Sequence, residues 1–296
     1  MNKGIWYGIG AYGLWGFFPI YWKFLNDVPA LEILAHRMAW SLVFVGAILA
    51  YRQHWSWVKP AFTNRRILLT YIASACLLAL NWFTYIWGVN ANFIVETSLG
   101  YFINPLVNVV LGVLFLGERP RHGQWLAVAV ALIGVGYLTW QYGRLPLIAL
   151  TLAFSFGFYG LLRKTAALDS LEGLSLETAV LFLPALGYLL FLQSQGNAAF
   201  GHSNPVTTSL LAFAGIATAV PLLWFANAAR RVTLTTLGIL QYLAPTIQFL
   251  IGIFIYKEPF TIQFLIGFSL IWAALLIYSA ESMINTQRHK PLRYAN

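Results

Sequence analysis

Apolar residues run in long blocks along nearly the whole chain, and only short polar segments separate them. About 20 apolar residues are needed for a helix to cross the hydrocarbon of a bilayer. The pattern predicts an all-α integral membrane protein with ten transmembrane helices, at 4–24, 31–51, 67–89, 93–116, 121–141, 145–164, 174–194, 208–229, 235–256 and 260–280. Since no connection is long enough to be a soluble domain, we expect any function to reside among the helices or at their ends.

The composition supports this interpretation. Hydrophobic residues make up 59% of the chain and charged residues 9%, whereas a soluble domain has about a quarter of its residues charged. The single cysteine, Cys76, excludes an intramolecular disulfide and a thiolate metal cluster.

The net charge of +9 follows the membrane topology. Basic residues gather in alternate connections, which the positive-inside rule assigns to the cytoplasm: Lys3, Arg52, Lys59, Arg65, Arg66, Arg119, Arg121, Arg163, Lys164, Arg230, Arg231, Arg288, Lys290 and Arg293. The opposite connections hold Lys23, Arg144 and Lys257. We expect a multi-pass membrane protein with both termini in the cytoplasm, a lipid bilayer around it and no nucleic-acid partner.

The chain contains an internal repeat at a shift of about 140 residues. The segment 11–23 aligns with 152–164, "LEIL" at 31–34 with "LEGL" at 171–174, and 103–120 with 243–260. The last alignment matches Pro, Gly and Glu positions. An odd number of helices in each copy reverses the second copy in the membrane, so we predict inverted repeats with a site between them. The predicted units are 1–142 and 143–284, each with five helices, followed by a cytoplasmic tail at 285–296.

The fourth predicted helix carries a polar stripe, since Tyr101, Asn104 and Asn108 recur at three- and four-residue spacing. Pro105 lacks an N–H group and therefore leaves the carbonyl of Tyr101 free near the bilayer centre. A free carbonyl is costly in lipid, so this face should meet protein or a wet cavity.

The ninth predicted helix repeats the design with Gln241, Tyr242, Pro245 and Gln248. Paired helix breaks at Pro105 and Pro245 are typical of a transport site. The alternative is that the amides only join helices and that the prolines only bend them.

Two further helices carry polar and aromatic residues near their centres. These are Asn81, Trp82 and Tyr85 in the third helix and Trp224 and Asn227 in the eighth. Buried Trp and Tyr need partners for their polar atoms, which makes them candidates to stack on a flat solute, with core filling as the alternative.

Four ionisable residues begin helices on the outer side: Glu32, His36, Arg37 and Glu96. They are candidates for coupling or gating, and Arg37 is a candidate for an ion pair with Glu32 or Glu96 or for contact with an anionic substrate. The alternatives are that Glu96 is an interfacial cap at a helix N-terminus and that Arg37 extends outward to the headgroups.

Sequence motifs for enzymes and ATPases are missing, including the P-loop, H-E-x-x-H and G-x-S-x-G motifs. We therefore expect no catalytic residues, no metal site and no cofactor. Two alternatives to transport remain. One is a lipid-modifying enzyme that uses Glu32, His36 and Glu96, and the other is a non-transporting membrane partner protein.

Several segments carry a family resemblance, namely "AHRMAWS" (35–41), "NWFTYIWGVN" (81–90), "ETSLGYFINPLVNVVLGVLFLGERPRHGQWLAV" (96–128), "LAFSFGFYGLLRK" (152–164) and "TLGILQYLAPT" (236–246). They resemble the RarD proteins, which are bacterial inner-membrane members of the EamA branch of the drug/metabolite transporter superfamily. The resemblance implies ten helices in two inverted five-helix repeats and a central cavity that opens to either side in turn. The expected function is secondary transport of a small organic metabolite or drug-like solute, by a monomer or homodimer.

Overall fold

The computed structural model describes residues 3–91, 93–143, 145–256 and 262–288. These ranges contain twelve α-helices: α1 (Lys3–Lys23), α2 (Ala30–Arg52), α3 (Val58–Thr63), α4 (Arg65–Asn90), α5 (Ile94–Leu116), α6 (His122–Tyr142), α7 (Leu147–Thr165), α8 (Ser170–Ser194), α9 (Pro205–Ala229), α10 (Leu234–Gln241), α11 (Leu243–Phe254) and α12 (Ile262–Arg288). Arg144, Lys257, residues 260 and 261 of the tenth predicted span and residues 289–296 of the predicted tail lie outside the described residues.

Eight helices in the described ranges are long and apolar enough to cross a membrane: α2, α4, α5, α6, α7, α8, α9 and α12. The first predicted span corresponds to α1, whose many Gly, Tyr and Trp residues lower its hydropathy. The ninth corresponds to α10 and α11, which are short separately. The short helix α3 falls in a connection where the sequence predicts none.

Contacts between helix ends define two faces. We call the end of the bundle at which α1 begins the proximal face, and the end at which α1 finishes the distal face. At the proximal face, Trp57 before α3 and Ala61 within it pack with Tyr71 of α4 and Leu168 before α8. At the distal face, Leu25 and Val28 pack with Leu211 of α9.

In the bundle, helices from one predicted repeat pack against helices from the other. α1 and α2, from the first repeat, pack against α9, and α1 also packs against α11. α7, from the second repeat, packs against α4 and α5. α6 and α12 form a lateral pair. Each packing unit therefore combines helices from both repeats.

Two contacts join α5 to α10 across the repeats. The Glu118 carboxylate, just after α5, accepts hydrogen bonds from the backbone N–H groups of Leu234 (2.6 Å) and Thr235 (3.0 Å), which begin α10. A carboxylate at a helix N-terminus satisfies free donors and opposes the helix dipole. Further along, a Cβ atom added at Gly238 would lie 2.6 Å from the Pro105 carbonyl oxygen. Only glycine lets α10 lie this close to Pro105 of α5.

We predict that Gly238→Ala lowers stability, whereas Gly46→Ala in α2 does not. A Cβ at Gly46 would meet no atom within 4 Å, so alanine there should stabilise its helix by about 0.5–1 kcal/mol. At Gly238 the overlap with the Pro105 carbonyl should cost about 1–3 kcal/mol. Thermal unfolding of the two variants in detergent micelles measures the difference, and equal melting temperatures would contradict the close approach.

Candidate functional site

Pro105 and Pro245 lie within the two helical segments that carry the predicted stripes. α5 stays a single helix across Pro105, but α10 ends at Gln241 and α11 begins at Leu243. The predicted span 235–256 therefore consists of two consecutive helices. The reason is that Pro245 cannot donate a hydrogen bond to the Gln241 carbonyl, and the chain reorients at the weakened turn.

Side-chain amides connect the helices around these breaks. Asn108 donates to the Asn104 Oδ1 and to the Gln241 Oε1, both at 3.2 Å. Asn104 in turn donates to the Ala153 carbonyl at 2.5 Å. Gln248 donates to the carbonyl of Trp15 at 3.1 Å. These bonds join α5 to α7 and α10, and α11 to α1.

Asn81 makes a similar link from α4 to α7. Its Nδ2 donates to the Leu152 carbonyl (2.9 Å) and to the Ser155 hydroxyl (3.0 Å). The amides thus join helices, as the alternative from the sequence holds, and four of these same residues also face a cavity.

A cavity of about 270 Å³ lies among these amides. Aromatic side chains are the largest group in its wall: Tyr12, Trp15, Phe18, Trp22, Trp82, Tyr85, Tyr101 and Phe156. Its polar lining consists of Arg37, Asn81, Asn104, Gln241 and Gln248, and Pro245 also faces it. Along α1 the lining runs from Tyr12 to Trp22, which is about 15 Å at helical rise. The cavity therefore extends from the middle of the bundle to its distal end.

Arg37 lies in the cavity wall between two tryptophans. The guanidinium carbon is 4.3 Å from the centre of the Trp82 ring and 5.0 Å from that of Trp22. Its Nε donates to the Thr218 hydroxyl at 2.9 Å. Within the described residues neither Glu32 nor Glu96 forms an ion pair with Arg37, so the ion pairs considered from the sequence are not formed.

Glu32 stabilises the distal connection before α9 instead. One carboxylate oxygen accepts hydrogen bonds from the backbone N–H groups of Ala199 (2.7 Å) and Phe200 (3.2 Å). His36 lies 3.9 Å from the same oxygen and packs its ring on Phe200 at a centroid distance of 4.8 Å. Neither residue lines the cavity described above.

Glu96 caps a different helix from its own. Its carboxylate accepts a hydrogen bond from the Ile148 N–H at 2.7 Å, in the first turn of α7. The sequence placed Glu96 at the start of α5, where it also lies. This contact gives Glu96 a role in joining α5 to α7.

Four other predicted residues lie away from the cavity lining. Asn108 lies one turn below Asn104. Tyr242 is buried and donates to the Phe102 carbonyl at 3.1 Å. Asn227 donates to its own helix at Leu223 (2.9 Å). Trp224 packs over Gly10, where an added Cβ would lie 2.6 Å from its ring.

An aromatic layer closes the cavity toward the proximal face. Phe225 lies at its centre, with ring centroids 6.2 Å from Tyr12, 5.8 Å from Trp15, 5.2 Å from Phe156 and 5.7 Å from Tyr159. Tyr12 and Phe225 are each 1% exposed. The layer separates the cavity from the proximal end of the bundle.

A buried ion pair, which the sequence analysis missed, lies on the proximal side of this layer. Arg163 Nη1 is 3.5 Å from the Glu177 carboxylate, and each side chain is 1% exposed. Glu177 also accepts hydrogen bonds from the hydroxyls of Ser74 and, at 3.4 Å, Tyr159. Arg163 Nη2 donates to the Ser170 carbonyl at 3.0 Å. We call Arg163, Glu177, Ser74 and Tyr159 the proximal network.

The sequence held a signal for this network. Glu177 is an acidic residue seven positions into α8, about 10 Å from its start, and at the repeat shift of about 140 residues it aligns with Arg37. By the positive-inside rule, Arg163 counts only as one of the basic residues of a cytoplasmic connection. Its burial depends on α4 and α8, which the sequence does not place beside it.

A larger groove of about 750 Å³ lies between α5, α6 and α7. Its wall is apolar, from Ile103 and Leu106 to Phe154, and the Thr139 hydroxyl is bonded to the Val135 carbonyl of its own helix. Such a wall suits lipid chains. The smaller cavity is the better candidate because polar groups converge on it.

Comparison with known proteins places the chain in a family. Residues 2–140 match the EamA-like transporter family. Protein RarD from Streptomyces exfoliatus is 47% identical over 98% of this chain and 92% of its own. The chain belongs to the EamA-like transporter family.

The chain is also similar to a second curated protein and to a solved structure. An uncharacterized transporter, YojE from Bacillus subtilis (strain 168), is 48% identical over 94% of each chain. A solved crystal structure with 18% identity has a TM-score of 0.71 and covers 93% of this chain and 97% of its own, which supports the fold alone. The resemblance to RarD proteins predicted from the sequence is confirmed, and the chain is a multi-pass membrane protein of a transporter family.

We predict that Glu177→Ala in this EamA protein lowers the free energy of unfolding by about 3–5 kcal/mol, because it leaves the Arg163 guanidinium buried and unpaired. The matched control is Glu281→Ala, which removes the partner of the more exposed Arg121 (2.5 Å) and should cost at most about 1 kcal/mol.

Thermal unfolding in detergent measures both effects. The double variant Arg163→Met/Glu177→Leu should recover most of the lost stability, because it removes both charges together. Equal losses for Glu177→Ala and Glu281→Ala would show that the proximal network does not behave as a buried ion pair.

Proposed function

We propose that this EamA protein is a secondary transporter that moves a small organic metabolite or drug-like solute across the bacterial inner membrane by alternating access. The carrying observation is the cavity of about 270 Å³ with converging amides and aromatic rings, whose lining reaches Trp22 near the distal end of α1 and which the aromatic layer around Phe225 covers on the proximal side. A site covered on one side of the membrane is what one state of such a cycle requires. The cavity also argues against a non-transporting partner with a dry, packed centre.

The proposed substrate site lies between two inverted five-helix units, 1–142 and 143–284. Support comes from the lining, since α1, α2, α4 and α5 contribute from the first unit and α7, α10 and α11 from the second. Asn81, Trp82, Tyr85, Tyr101, Asn104, Gln241 and Gln248 are the proposed solute contacts. Asn108 holds Asn104 and Gln241 in position.

The packing of helices from one predicted repeat against helices from the other determines which groups of helices can move together. Because α1 packs on α9 and α11 while α7 packs on α4 and α5, the two sequence repeats do not separate as rigid halves. We infer that bundles drawn from both repeats tilt, which opens the proximal network and closes the distal end.

The proposed orientation makes the proximal face cytoplasmic. Support comes from its basic residues, such as Lys3, Arg52, Arg163 and Arg230, since cytoplasmic segments carry the excess of Lys and Arg. Both termini are then cytoplasmic. The cavity faces outward.

The proposal predicts side-specific access to the cavity. Cys76 is exposed and is first replaced by alanine. In right-side-out vesicles, Tyr101→Cys should then react with a membrane-impermeant maleimide, whereas Tyr242→Cys, which is buried away from the cavity, should be protected. A solute that raises the melting temperature of the parent protein should slow the reaction at Tyr101→Cys.

Three results of these vesicle and flux experiments would contradict the proposed function. Reaction of Tyr101→Cys only in inside-out vesicles would overturn the orientation. Equal reaction of both cysteines would overturn the cavity as the accessible path. Absence of any solute flux in proteoliposomes, over a panel of stabilising solutes, would overturn transport.

A further inference from the structure

The cavity contains a positive charge that no acidic side chain of the described residues pairs with. Arg37 is the only charged residue among the described residues that line it. The nearest acidic candidates by sequence, Glu32 and Glu96, accept backbone hydrogen bonds elsewhere. Within the described ranges, the polar side-chain partner of the guanidinium is the neutral hydroxyl of Thr218.

The surroundings hold this charge in place without cancelling it. Trp82 and Trp22 contact the guanidinium with their ring faces, and the hydrogen bond from Nε to the Thr218 hydroxyl holds it in position. Cation–π contacts stabilise a cation while leaving its N–H edge available. A planar fork of N–H donors held in this way matches the geometry of a carboxylate.

The rest of the wall selects the remainder of the ligand. The other polar groups are amides and hydroxyls, such as Asn104, Gln241 and Tyr101, so a positive group on the ligand would find no acidic partner in the described lining. The Tyr85 and Tyr101 rings lie 5.8 Å apart at the distal part of α4 and α5. These walls favour a flat apolar body of one ring system, since the volume is at the small end for ligand pockets.

We infer that the cavity binds an organic monoanion, in which a carboxylate pairs with Arg37 and a single aromatic ring system lies among the cavity aromatics. The inference rests on the proposed function for its role in transport, but binding alone can be tested separately. A zwitterion should bind more weakly than the monoanion, because its ammonium group lacks a carboxylate partner.

The test uses the purified full-length protein and ligand-dependent thermal stabilisation. The probes are phenylacetate and indole-3-acetate, together with phenylacetamide, phenethylamine and phenylalanine as neutral, cationic and zwitterionic analogues. The carboxylates should bind on the order of tenfold or more tightly than each analogue. Phenylacetamide and phenethylamine lack the carboxylate that pairs with Arg37, whereas phenylalanine keeps it but also brings an unpaired ammonium group into the cavity. A parent protein that does not prefer the carboxylates overturns the inference without any variant.

Variants locate the preference at Arg37. Arg37→Gln should abolish the advantage of phenylacetate over phenylacetamide, and Arg37→Lys, which keeps the charge but loses the fork, should keep part of it. The matched control is Arg231→Gln, because Arg231 also lies over an aromatic ring, that of Tyr7 at 5.3 Å, but outside the cavity lining. Arg231→Gln should leave the preference unchanged. Gel filtration and helical circular dichroism establish that each variant is folded.

Two outcomes separate this inference from the proposed function. Arg37-dependent binding of the carboxylates without flux into proteoliposomes would uphold the anion site and overturn transport. Flux of a neutral or cationic solute that Arg37→Gln does not alter would uphold transport and overturn the anion site.

Discussion

The structure depends on one constraint of the membrane interior. A backbone carbonyl that loses its helical hydrogen bond there finds no water to donate another one. Pro105 and Pro245 each remove a donor from the helix in the middle of the bundle. Polar side chains and close helix contacts gather where this happens. Gly238 lets α10 approach the Pro105 carbonyl, and that approach puts Gln241 within reach of Asn108. The amides that surround the breaks also form the polar wall of the cavity.

Helical spacing explains how much of this arrangement the sequence could predict. The four-residue interval between Asn104 and Asn108 predicts a shared face, and the two side chains are hydrogen-bonded at 3.2 Å. The same reasoning failed after Gln241, because α10 ends there and Tyr242 points away from the cavity toward Phe102. Periodicity extrapolates correctly only while the helix continues.

Other parts of the site depend on neighbours that periodicity does not supply. The sequence around Trp224 and Asn227 is apolar on all sides of its helix. It therefore does not indicate which helix face packs on α1 and which face points to the centre of the bundle. Arg163 and Glu177 are fourteen residues apart on different helices, and only the crossing of α7 and α8 with α4 buries them together. The family resemblance predicted a central cavity but did not identify the residue that gives it charge.

The repeat alignment pairs two ends of the bundle that carry different chemistry. Glu177 aligns with Arg37, and Arg163 aligns with Trp22. At the proximal end, Glu177 and Arg163 form an ion pair. The corresponding distal positions hold Arg37 and the ring of Trp22, so no acidic side chain stands there. On the proposed function, closing an empty distal end would desolvate Arg37 without a counterion, at a cost of several kcal/mol, and a bound carboxylate would remove that cost. The carrier would then return far more readily when loaded than when empty, which is the energetic condition for obligatory exchange rather than leak.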